Sequence, residues 1–154
     1  PINSPGDDVF YTTTADGSKG YLTSFRRDGK GEKDIYEIVL EAQLTAQDFI
    51  KPGVTASQVD AAARKVIEKA GYGEYCRPPY MRVRGHGLGV TSDRPGDLHD
   101  QSEVKFEEGM IFVMHPNQYI PETGYLMCGE PVVISHNGAI SLSERDSTLD
   151  AVNI

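Results

Sequence analysis

Between Ile35 and Ile50 the apolar positions Ile35, Ile38, Val39, Ala42, Ala46, Phe49 and Ile50 return with a period near 3.6 residues, which predicts a helix with one apolar stripe. Lys51-Pro52-Gly53 ends it, because proline has no amide hydrogen to donate and disfavours helical geometry in the residue before it. A second helix opens at Thr55, where Gln58 completes a capping box. Its apolar face runs through Val59, Ala62, Ala63, Val66, Ile67 and Ala70 to a terminal Gly71. Extended segments surround these helices. Val9 to Thr14 and Lys19 to Phe25 flank the turn Ala15-Asp16-Gly17-Ser18 and predict a β-hairpin. Ile111 to Met114, Tyr125 to Cys128, Val132 to Ser135 and Ala139 to Leu142 predict further strands, the last two joined across Asn137-Gly138. Asn117 to Tyr125 reads as a loop bordering whatever site the sheet forms. Two helices packed on a curved, mostly antiparallel sheet make an α+β domain.

Composition narrows the partners. At 154 residues and 38% hydrophobic, the chain can bury the core of one domain. Its net charge of -8, from 15 basic and 23 acidic side chains, argues against nucleic acid or an anionic membrane as partner. No apolar run approaches the roughly 18 residues of a membrane span, and the start carries no signal-peptide pattern. Cys76 and Cys128 stand alone without ligand-like spacing, which suits reduced thiols in a cytoplasmic protein.

The chemistry concentrates in three stretches: Arg84-Gly85-His86-Gly87-Leu88-Gly89, then Glu108-Gly109-Met110-Ile111-Phe112-Val113-Met114-His115-Pro116, then Gly129-Glu130-Pro131-Val132-Val133. Glycines around His86 permit close backbone approach or positive φ, and no Walker-type lysine or serine follows them. With these motifs the chain resembles the C-terminal half of a pita-bread hydrolase, the family of methionine aminopeptidase, aminopeptidase P, prolidase and creatinase. The resemblance implies that residues 1–154 are the C-terminal portion of a pita-bread catalytic domain. A missing N-terminal portion of the same protein would supply the other wall of the site, and a homodimer is implied as well.

Metal-dependent members of that family hold two divalent ions with Asp, Asp, His, Glu and Glu in chain order, since hard cations at a hydrolytic centre need carboxylates that neutralise and bridge them. Matched position by position, the two aspartates fall on Thr13 and Ser24, the histidine on His86, the first glutamate on His115 and the last on Glu130. Asp93 stands where the family carries a second, proton-transferring histidine. The resemblance therefore implies no dinuclear centre. It leaves His86, His115 and Glu130 converging on the sheet floor, either free of any cofactor or holding a single divalent transition metal.

The function expected from this set is a non-standard creatinase- or Xaa-Pro-peptidase-like hydrolase of a small amino-acid-derived substrate. In it the catalytic set is His86, His115 and Glu130, the two histidines performing acid–base chemistry and Glu130 orienting a histidine or holding a cation, while Arg84, Asp93 and Tyr125 bind the substrate. Arg82 and Arg84 offer guanidinium groups for a substrate carboxylate, although their alternation with Met81 and Val83 equally fits the solvated face of a strand. Tyr119 and Tyr125 are within reach of the site or are packing residues. The competing expectation is an inactive pita-bread pseudoenzyme or binding module, motivated by the lost aspartates.

Overall fold

A computed structural model describes residues 8–13, 20–24, 35–91, 94–121 and 124–144. Its contacts divide the chain into two units, residues 1–35 with 148–154 and residues 36–147. In the first unit, β1 (Asp8–Thr13) and β2 (Gly20–Ser24) pair antiparallel, as the flanking turn residues predict.

The second unit carries the core. Helix α1 (Ile35–Phe49) stops just before Lys51-Pro52-Gly53, and Gly53 takes the positive φ that ends the turn. Helix α2 (Ala56–Ile67) is held at its start by the Thr55 and Gln58 box, with both reciprocal hydrogen bonds present. Beyond Ile67 the backbone widens into one π-helical turn, Glu68–Tyr72, inside which Gly71 takes φ 91°. A 3-10 turn, Gly73–Tyr75, then leads out of the helix.

Four antiparallel strands form the main sheet in the order β3 (Gly85–Gly87), β4 (Ile111–Met114), β7 (Glu130–Ser135) and β8 (Gly138–Ser141). A separate small hairpin pairs β5 (Gln118–Ile120) with β6 (Gly124–Leu126). Within the stretch expected as a loop, residues 118–120 and 124–125 are thus strand, because a strand of three residues leaves no readable alternation of its own.

One face of the main sheet is dry. Phe112, Met114, Val132 and Ile134 point from it into a core completed by Ile38, Ala42 and Ala46 of α1, Ile50 just after it, and Val59, Ala63 and Ile67 of α2. Phe106 packs edge-on against Phe112 with centroids 4.8 Å apart. The strands alternate strictly: Phe112 and Met114 are buried while Ile111 and Val113 are half-buried, and β7 repeats the pattern. This alternation decides which side chains reach the site. Cys76 and Cys128 are buried free thiols. Among the described residues no helix is long and apolar enough to cross a membrane.

Candidate functional site

The outer face of β3 and β4 brings two histidines together. His86 lies directly across from Val113, and His115 follows two residues later on the same side of the strand. Their ring centroids stand 4.9 Å apart, with planes tilted by 57°. Two glycines make this approach feasible. A Cβ on Gly85 would press into the Val113 carbonyl oxygen, and one on Gly87 would collide with the backbone of Arg94. The His115 backbone N–H donates to the Arg84 carbonyl at 2.9 Å, so the strand before His86 fixes the main chain of its partner.

Each imidazole has its tautomer set locally. His86 Nδ1 donates to the Gly87 carbonyl at 3.0 Å, and His115 Nδ1 donates to Asn117 Oδ1 at 3.1 Å. Nε2 is then the basic nitrogen of both rings. Burial holds the His115 pKa below the ordinary histidine value, and a charge on His86 pushes it further down. Its hydrogen bonds, including that to Asn117, and the Asp97 carboxylate act in the opposite direction. Asp97 bridges His86 on the far side of β3 and, like Asn117, was not among the residues expected at the site. Neither carries a motif; a backbone bridge and a turn bring them there.

Glu130 does not join the histidines. The register sets it opposite Met114, one position out of phase with His115, so its side chain lies on the core side. There its Oε1 accepts from Ser141 Oγ and, at 2.9 Å, from the Ser143 N–H. The β7-side position facing His115 is Gly129, where an added Cβ would stand 3.3 Å from the His115 Cβ. The expected convergence of three side chains is therefore a pair, because a motif match fixes a residue type and leaves its strand face open.

Arg84 is also misplaced as a substrate binder. It is 0% exposed, and its Nε lies 3.2 Å from the equally buried Asp60 carboxylate on α2. A substrate has no access to it. Tyr125, by contrast, is exposed and pairs across the small hairpin with Tyr119. Asp93 lies outside the described residues. Thr13 ends β1 and Ser24 ends β2, and their side chains are likewise outside what is described.

A metal centre can be tested against these positions. The two-ion arrangement requires carboxylates around the bound ions, and the described site face offers an imidazole at position 115 and a glycine at position 129. Among the described residues no three His, Cys, Asp or Glu side chains are grouped to hold a metal ion. The described residues do not fit the family's dinuclear centre. The single-metal alternative through His86, His115 and Glu130 fails too, since Glu130 faces the core.

Comparison with known proteins places this geometry. Residues 12–141 match metallopeptidase family M24. The chain is 36% identical over 118 residues to the Xaa-Pro dipeptidase of Pyrococcus furiosus, an overlap of 77% of this chain and 33% of that protein. It is 38% identical over 117 residues to the uncharacterized peptidase YqhT of Bacillus subtilis, an overlap of 76% and 32% respectively. The solved prolidase of Pyrococcus horikoshii OT3 shares the fold with a TM-score of 0.69 and 33% identity, over 85% of this chain and 37% of that one. The chain thus spans about one third of the length of the curated relatives it matches. With a family match over most of its length, and with two helices backing an antiparallel sheet as in the prolidase, the chain belongs to metallopeptidase family M24 and has the pita-bread fold.

Proposed function

We propose that this chain is the C-terminal part of the catalytic domain of a peptidase-like hydrolase acting on a small amino-acid-derived substrate, with His86 and His115 as its acid–base pair. The observation that carries the reading is the ring pair itself, 4.9 Å apart, with each Nδ1 committed to a local acceptor. Such a pair can take a proton from an attacking water on one Nε2 and return a proton to the leaving nitrogen from the other. The depressed pKa of His115 suits the base, since its imidazole stays neutral at pH 7. His86 is then the partner that returns the proton to the leaving group. The chain covers about a third of its relatives' length, and in this reading a further N-terminal portion completes the pocket and selects the substrate.

The competing reading is a binding module that keeps the fold without turnover. Gly129 favours it, because a side chain is missing at the position facing His115. Turnover decides between them. The chain, alone and joined to the N-terminal portion this reading requires, would be assayed on Xaa-Pro dipeptides and on N-methyl and amidino amino acids, with and without chelator. Hydrolysis that survives chelation and falls by roughly 10²–10⁴-fold in His86→Ala and His115→Ala supports the acid–base pair. No turnover on any of these, or turnover indifferent to both substitutions, overturns it.

A further inference from the structure

Beside the histidine pair lies a groove of about 420 Å³, walled by Pro79 to Val83 on one side and by Asn117, Tyr119 and Tyr125 on the other. That volume suits a small organic ligand. Its walls are aromatic. Tyr80 and Tyr119 stand near parallel with centroids 6.3 Å apart, and Tyr75 buttresses Tyr80 edge-on at 5.0 Å. Tyr119 and Tyr125 are 42% and 59% exposed on one face of the β5–β6 hairpin, while Gln118 and Ile120 on its other face are buried. Ring area left in water on a fixed wall is a surface for a flat, apolar partner. The wall is fixed because Gln118 Nε2 donates to the Tyr75 carbonyl at 2.7 Å.

The lining also carries charge of one sign. Arg82, exposed, is the cation among these eight residues, and among the described residues no acidic side chain lines the groove with it. On a chain of net charge -8, such a spot selects for an anion rather than a cation. A guanidinium grips a carboxylate with two parallel hydrogen bonds. We infer that the groove binds a small monocarboxylate with a flat apolar body, its carboxylate on Arg82 and its body against Tyr80, Tyr119 and Tyr125. Asn117 belongs to both regions, since it lines the groove and holds the His115 tautomer. The inference names the ligand class of a groove adjoining the proposed catalytic pair, and its test measures binding without turnover.

The chain has no tryptophan and eight tyrosines, so its intrinsic fluorescence reports on tyrosine. Phenylacetate, 2-phenylethanol and phenethylamine would be titrated into the full chain, followed by that fluorescence and by calorimetry. Saturable binding of phenylacetate is expected, about tenfold weaker in Arg82→Ala and for the neutral alcohol, and weakened in Tyr119→Ala. His86→Ala should leave the affinity within about threefold while removing any hydrolysis, so each reading can fail without the other. Absence of saturable binding, equal affinity in Arg82→Ala, or binding of the amine as tight as the acid would each overturn the proposal. Arg82 and Tyr119 are exposed, and circular dichroism of both variants checks that they fold.

Discussion

Asp60 on α2 and Arg84 on the approach to β3 meet at 3.2 Å with neither side chain reached by solvent. Burial outweighs the attraction of Arg84 and leaves the Asp60 pKa above its usual value, so the pair is held at a cost rather than as a simple source of stability. Removing one partner strands the other. Asp60→Ala and Arg84→Met should each lose about 3–5 kcal/mol in urea denaturation, whereas Asp60→Leu with Arg84→Met should recover most of it. Equal losses in the double and single variants would contradict this.

Acid should weaken the fold through His115. Its folded pKa lies below the ordinary 6.5, so the unfolded chain binds the proton more readily than the native one. The contribution is therefore fully present above pH 6.5 and is lost as pH falls toward the folded value. Stability of the wild type measured between pH 7.5 and about 5 should decline more steeply than that of His115→Gln. Parallel curves would show that His115 does not titrate in this way.

Gly87 tests the close approach at the site. An alanine there puts its Cβ into backbone atoms of Arg94, which have no rotamer to change. Gly87→Ala should cost about 1–3 kcal/mol or displace β3, visible as loss of the His86–His115 coupling in histidine titrations by NMR. An unchanged melting curve with unchanged titrations is the contrary result.

The thiols should be silent in the native state. Burial pushes Cys128 up to about 12 and raises Cys76 as well, and a thiol rather than a thiolate reacts poorly. At pH 8 a disulfide reagent should label both cysteines at the rate of unfolding, and immediately in urea. Fast labelling in native buffer would refute the burial of one or both.

Sequence reasoning succeeded where a pattern had room to repeat. The stripe from Ile35 to Ile50 spans four helical turns, and the Thr55 and Gln58 box marks a helix start within four residues. Ile111–Met114 was legible as a strand because every member is apolar. The three-residue strands β3 and β5 were not legible, since their extended form comes from the partner strand and not from their own composition. The site was half legible. His86 and His115 come together as their motifs suggest, but Glu130 turns inward through strand parity, and Arg84 is buried against Asp60 on a helix distant in sequence. Asp97 and Asn117 gave no local signal at all.

That parity has a consequence for how easily this sheet could change trade. Glu130 and Gly129 are neighbours in the chain and lie on opposite sides of β7's edge, one holding an acid against the serines and the other bare beside His115. Glu130 shares one register with Val132 and Ile134, so slipping β7 by a residue to bring the carboxylate to the histidines would also turn both apolar side chains out of the core. The packing that fills the core is thus what locks the acid away from the imidazoles.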